Sequence, residues 1–168
     1  MKSGLAILAL LAGTVAAHAS GTMVFDPDAS GATFFVTPSQ NIGCVYTPVG
    51  GSTVYVPEDG GPELSCDRVV PKYLRFVLGA SGPANLIDNV GDAGCCTSEN
   101  PLPYGTKWRI EPFTCESETT GLSCQRDDGH GFFVSKAKVS VYLPQASALA
   151  EHRLQDRKST RLNSSHAL

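Results

Sequence analysis

Six cysteines constrain this chain of 168 residues more than any other feature of its sequence. They form no C-x2–4-C pair and the chain has only four histidines, so the usual ligand spacing of a structural zinc site is missing. An even number of cysteines in an oxidising compartment predicts a disulfide framework. The six are Cys44, Cys66, Cys95, Cys96, Cys115 and Cys124.

The compartment is indicated by residues 1–19, which have the composition of a secretory signal peptide. Lys2 precedes the apolar run LAILALLA, and the small-x-small tripeptide AHA predicts cleavage before Ser20. The apolar run is far shorter than the ~20 residues that cross a bilayer, which argues against a membrane anchor. We therefore expect an exported protein, periplasmic or extracellular, whose cysteines are oxidised.

The composition changes again near the end of the chain. Residues 156–168 are polar and aperiodic, and the run DRKSTRLNSSH matches the translation of a sequencing-library adapter, so we interpret them as a non-native read-through tail. Between the two ends we predict a flexible N-terminal segment (20–31), a single β domain (32–145) and a short terminal segment (146–155).

The charge of residues 20–155 limits the partners of the domain. This range holds 15 acidic and nine basic residues, a net charge of −6. Nucleic acids and anionic membrane surfaces both favour a basic partner, so neither is expected to bind. We expect instead a monomer that contacts an unidentified protein or small-molecule ligand and holds no cofactor or metal ion.

Residues 32–145 have the pattern of an all-β protein. Short runs of alternating apolar and polar residues are separated by Gly and Pro, and no helical period is sustained. Many short strands at this spacing predict a small antiparallel sandwich or barrel of disulfide-linked hairpins. The predicted strands are Ala32–Thr37, Ile42–Tyr46, Thr53–Val56, Leu64–Arg68, Leu74–Leu78, Ala84–Ile87, Trp108–Ile110, Phe113–Glu116, Leu122–Gln125, Phe132–Ser135 and Lys138–Tyr142.

A repeated pentapeptide narrows the disulfide pairing. Leu64–Arg68 (LSCDR) recurs as Leu122–Arg126 (LSCQR), and each copy follows an earlier cysteine across a turn-rich segment. Both arrangements are typical of hairpins whose facing strands carry one cysteine each, close enough to bond. The predicted bridges are Cys44–Cys66 and Cys115–Cys124.

The adjacent Cys95 and Cys96 are left over, and the residues alone keep their pairing open. They either bond to each other or each bond a partner elsewhere, and in both cases they close a tight loop. A redox or conformational switch is the functional alternative, because strained disulfides are the more easily reduced ones.

Groups with catalytic potential are few. His130 lies beside Asp127 and Asp128 in a glycine-flanked turn, which fits either an oriented general base or a ring that caps backbone groups. No G-x-S-x-G nucleophile elbow accompanies it. Trp108 fits either the floor of a sugar or peptide site or a position in the core.

These features favour a non-catalytic binding or structural role, in the cell envelope or outside the cell. The absence of a catalytic grouping and the disulfide-linked strands both support this interpretation. The alternative is a small exported hydrolase or inhibitor that uses the His130 turn.

Two longer motifs stand near the ends of the domain. FVTPSQNIGC occupies Phe35–Cys44 and GHGFFVS occupies Gly129–Ser135, with LSC, LPYG, FTC and GLSC between them in that order. Together they resemble a family of short exported bacterial proteins of unknown function, marked by F-x-[ST]-P-S-x-N-I-x-C and G-H-G-F-x-x-S, over about residues 35–142. The resemblance implies export and disulfides, and it implies no activity.

The chain departs from the family pattern at two places. Gln40 stands where Gly is usual, and Cys95–Cys96 replaces two separated cysteines. Next to Gln40, Asn41 is expected to take the left-handed backbone of a tight turn.

Overall fold

The computed structural model describes residues 21–144, which contain eleven β-strands and no helix. The all-β prediction is confirmed. Since residues 21–144 form no helix, this range holds no helix that could span a membrane. The predictions for residues 1–19, 146–155 and 156–168 lie outside the described residues. The strands are β1 (Thr22–Met23), β2 (Thr33–Val36), β3 (Ile42–Thr47), β4 (Glu63–Arg68), β5 (Leu74–Leu78), β6 (Asn85–Ile87), β7 (Thr106–Ile110), β8 (Phe113–Glu118), β9 (Gly121–Arg126), β10 (Gly131–Val134) and β11 (Val139–Tyr142).

The strands form two sheets that pack face to face. One sheet has five strands in the order β2-β3-β4-β5-β6, and the other has six in the order β1-β7-β8-β9-β10-β11. All neighbouring strands are antiparallel except β1 and β7. Aromatic rings join the sheets: Phe35 lies 4.9 Å from Trp108 and Phe76 lies 4.8 Å from Phe132, measured between ring centroids. The fold is therefore a β-sandwich with one shared apolar core.

The two sheets repeat the same arrangement of core residues. In each, four consecutive strands carry an aromatic residue, two disulfide-bonded cysteines and a second aromatic residue, all directly opposite one another in register. These sets are Phe35, Cys44, Cys66 and Phe76 in the five-stranded sheet, and Trp108, Cys115, Cys124 and Phe132 in the six-stranded sheet. The repeated LSC-x-R pentapeptide is thus one part of a longer structural repeat, β2–β5 and β7–β10.

The arginine that ends each pentapeptide ties the two sheets together. Arg68 is 6% exposed and donates a hydrogen bond from Nη1 to the Ser135 carbonyl, at 3.0 Å. Arg126 is 4% exposed and donates from Nη1 to the Gly79 carbonyl, at 2.6 Å. Ser135 directly follows β10 and Gly79 directly follows β5, so each arginine reaches the equivalent point of the opposite sheet.

The structure corrects two of the predicted segments. Thr53–Val56 forms no strand; it is an exposed bend in which the backbone of Ser52 pairs with Tyr55. Residues 20–31, predicted to be flexible, include β1, where Thr22 and Met23 pair in parallel with β7. Met23 and Phe25 also pack against the core, which explains why this segment is held in place.

The turn between β2 and β3 also differs from the expectation. Its left-handed residue is Gln40, with φ at +54°, and not Asn41. Asn41 instead fixes the turn through its side chain, because Nδ2 donates to the Val70 carbonyl and Oδ1 accepts from the Val70 N–H. Gln40 is therefore the position of this turn at which a side chain strains the backbone.

This strain gives a testable expectation for Gln40→Gly. Glycine adopts a positive φ without the ~1–2 kcal/mol cost that a side chain imposes, although it loses more entropy on folding. We expect the free energy of unfolding to rise by about 0.5–1 kcal/mol, measured by urea denaturation. Gln40→Ala is the matched control, since it keeps a Cβ and should give no such gain.

Candidate functional site

Within residues 21–144, a groove lies on the outer face of the five-stranded sheet. It is half-open, with a volume of about 630 Å³, which lies in the range of small-molecule sites. Its floor is a row of side chains that oppose one another across β2 to β5, namely Phe34, Val45, Ser65 and Val77. Three of these four outward positions are apolar, whereas the open face of an antiparallel sheet is usually polar.

One side of the groove is formed by the loop that carries the Cys95–Cys96 disulfide. The two cysteines bond to each other, and Cys96 has a positive φ of +88°. They lie over Gly43, where an added Cβ would stand 2.9 Å from the Cys95 sulfur and 3.0 Å from the Cys96 sulfur. Gly43 is therefore required for the loop to approach the sheet so closely.

The same side of the groove holds a compact polar network. Arg75 donates to both carboxylate oxygens of Asp67, at 2.7 and 2.8 Å, and Tyr73 donates its hydroxyl proton to Asp67 at 2.5 Å. Burial, followed by the bond to Asp67, raises the pKa of Tyr73 to about 12. Arg75 also donates to the Asp92 carbonyl at 3.1 Å, which fastens the disulfide loop to the sheet.

The opposite side of the groove is formed by Glu63 and the exposed bend at 52–56. The Tyr55 hydroxyl donates to Oε2 of Glu63 at 3.3 Å. Val54 is 82% exposed and Val56 is 60% exposed. Apolar residues that contribute nothing to the core but stand beside a groove are typical of a binding surface.

His130, Asp127 and Asp128 do not form one cluster. Asp128 accepts a 2.6 Å hydrogen bond from Arg126 and lies 3.0 Å from Nδ1 of His130. These contacts, of which the Arg126 bond has the largest effect, hold the pKa of Asp128 well below its usual range. Asp127 turns away and pairs with Arg109 at 3.0 Å. Within residues 21–144 the His130 ring bonds only Asp128 and Arg126, and no nucleophilic side chain is hydrogen-bonded to it.

Trp108 and the four remaining cysteines belong to the core. Trp108 is completely buried between the sheets, so of the two interpretations the core position is confirmed and the floor of a sugar or peptide site is excluded. The bridges are Cys44–Cys66 and Cys115–Cys124, each with a Cα–Cα distance of 4.1 Å. The sulfur atoms of Cys44, Cys66 and Cys124 all lie within 4.8 Å of one another, so the two bridges are in contact; as disulfides they offer no thiolate to a metal ion.

Sequence reasoning missed the groove, although the sequence contains a signal for it. The strands carry apolar residues at consecutive positions, as in Phe34-Phe35, Val45-Tyr46 and Phe76-Val77, so they are apolar on both faces. A sandwich buries only one face of each sheet, and the second apolar face therefore indicates a further contact surface.

Comparison with protein-family models, curated proteins and solved structures returns no match. The candidate function consequently rests on the groove and on the disulfide-linked β-sandwich that positions it.

Proposed function

We propose that this chain is an exported, non-catalytic binding domain whose ligand occupies the groove on the outer face of the five-stranded sheet. The observation that carries the proposal is the apolar row Phe34, Val45 and Val77, which faces an open cavity of about 630 Å³. Ligand sites are commonly concave and mainly apolar, with a few polar groups that orient the ligand. Here the polar groups are Glu63, Tyr55 and the Asp67–Arg75 pair.

Export is supported by the signal-peptide composition of residues 1–19 and by three disulfides, which persist in oxidising compartments. The disulfides also suit a binding role. Cys44–Cys66 fixes β3 to β4 in the floor of the groove, and Cys95–Cys96 forms part of its side. A rigid floor reduces the entropy that a ligand must overcome on binding.

The groove can be tested with a neutral apolar probe. We expect titration of the oxidised protein with 1-octanol to shift the amide NMR signals of Val45, Ser65 and Val77. Val77→Asn should weaken this binding by about tenfold, because a polar amide interrupts the apolar floor.

The matched control is Val141→Asn, at an exposed position of the six-stranded sheet. It should bind the probe as the unaltered protein does. Shifts that spread over the whole molecule, or a Val77→Asn variant that binds with unchanged affinity, would contradict the proposed site.

A further inference from the structure

The charged residues that line the groove favour a positively charged ligand. Among residues 21–144 they comprise three carboxylates, of Glu63, Asp67 and Asp92, and one cation, Arg75. Arg75 is already engaged by both oxygens of Asp67. Glu63 and Asp92 then leave the groove with a net negative charge, which attracts cations and disfavours anions.

Glu63 is the carboxylate placed to meet a ligand. It is partly buried on the groove side of β4, and desolvation raises its pKa, with a further contribution from the negative charge of Asp59. In the part of the chain from 21 to 144, no Lys, Arg or His forms an ion pair with it. A bound cation would offset the cost of removing this carboxylate from water.

The surroundings of Glu63 suit an organic cation better than a metal ion. Tyr55 is half-exposed and holds its ring beside the carboxylate through the hydroxyl hydrogen bond. Aromatic rings attract ammonium groups, most strongly where water is partly excluded. Two residues along β4 from Glu63, Ser65 belongs to the floor, whose row crosses four strands over roughly 14 Å at the ~4.8 Å spacing of neighbouring strands and is apolar on the other three.

We propose that the groove binds a small organic ammonium ion with an apolar body. Its charged group lies beside Glu63 and Tyr55, and its apolar part lies on Phe34, Val45 and Val77. This inference rests on the proposed function, since it names the ligand class of the same groove.

The test uses three probes with the same eight-carbon chain, each kept below its critical micelle concentration. They are octyltrimethylammonium, octane-1-sulfonate and 1-octanol, titrated into the oxidised protein and followed by calorimetry and amide NMR shifts. We expect the ammonium probe to bind about tenfold or more tightly than the sulfonate, because the groove is negatively charged.

Glu63→Gln removes the charge and keeps the size of the side chain. It should lower the affinity for the ammonium probe about fivefold or more and leave the affinity for 1-octanol unchanged. Glu118→Gln, an exposed position of the six-stranded sheet, is the control and should change neither. Tyr55→Leu should lower the affinity for the ammonium probe only. Tyr55→Phe keeps the aromatic ring and should retain most of the affinity for this probe.

The outcomes separate this inference from the proposed function. The ligand class is wrong, and the groove remains a binding site, if 1-octanol binds there but the sulfonate binds as tightly as the ammonium probe. The same holds if 1-octanol binds there and Glu63→Gln leaves the affinity for the ammonium probe unchanged. If none of the three probes shifts the groove residues, the proposed function itself fails. A melting temperature for Glu63→Gln at or above that of the unaltered protein shows that the variant is folded, so that a weaker affinity is not caused by unfolding.

Discussion

Replacing Arg126 by Met is expected to lower the free energy of unfolding by about 2–3 kcal/mol, because it removes the charged hydrogen-bond donor that lies inside the sandwich and joins the two sheets. The Arg126 side chain is 3% exposed. It donates to the carbonyls of Gly79 and Gly82, at 2.6 and 2.7 Å, and to the Asp128 carboxylate. Methionine keeps an unbranched apolar stem in place of the arginine stem and offers none of these donors, so the loss comes mainly from the polar contacts.

The expectation is checked by urea denaturation of the oxidised protein. Arg109→Met is the control, since Arg109 is a partly exposed arginine whose ion pairs with Asp127 and Glu111 are on the surface. Such pairs contribute about 0–1 kcal/mol, so this variant should stay close to the unaltered protein. An Arg126→Met variant that loses no more stability than Arg109→Met would show that the cross-sheet contact does not hold the sheets together.

Removing the Cys44–Cys66 bridge by a double substitution to Ala is the second change with a large expected effect. The bridge spans a sequence separation of 22 residues. Closing a loop of this length restricts the unfolded chain by about 3 kcal/mol in the entropy model, and truncating two buried side chains adds to the loss. We expect the free energy of unfolding to fall by at least about 3 kcal/mol.

The chain provides an internal comparison for this effect. Cys95 and Cys96 are adjacent in sequence, so their bridge closes a loop of almost no length. By the same model, a Cys95→Ala, Cys96→Ala variant should lose less than about 1 kcal/mol of the free energy of unfolding. Cys115–Cys124, with a separation of nine, should fall between the two. Equal losses for all three bridges would contradict the loop-closure explanation of this stability.

The sequence was sufficient to predict most of the strands, because alternation and turn residues are local signals. Ten of the eleven predicted strands correspond to a strand of the structure, and the exception, Thr53–Val56, is instructive. Its apolar residues suggested a half-buried strand, but Val54 and Val56 are exposed, and Val54 lines the groove. Apolar character alone does not distinguish residues that pack in the core from residues that stay exposed on the surface.

Long-range pairing was harder to predict. The strand β1 has only two residues and pairs with β7 across more than 80 positions, for which a single sequence carries no local signal. The arginines of the LSC-x-R repeat were visible, but arginine is usually exposed, so nothing local indicated that both lie inside the sandwich.

The candidate site depended on the same long-range information. Glu63 and Tyr55 are close in sequence, but the groove between them and Cys95–Cys96 exists only once β2 to β5 are in register. His130 and Asp128 were identified correctly as neighbours. Arg126 contacts His130 and donates hydrogen bonds to the carbonyls of Gly79 and Gly82. It thereby connects this turn to the opposite sheet.

Mass spectrometry of the mature protein tests the proposed export and the disulfide pairing of the β-sandwich most directly. We expect an N-terminus at Ser20, a mass lower by six hydrogens than that of the reduced form, and the pairs Cys44–Cys66, Cys95–Cys96 and Cys115–Cys124. Mispairing is physically accessible, because the sulfurs of Cys44, Cys66 and Cys124 lie within 4.8 Å of one another. A Cys44–Cys124 bridge would contradict this disulfide pairing. Six free thiols in a protein that still melts cooperatively would show that the sandwich does not depend on disulfides.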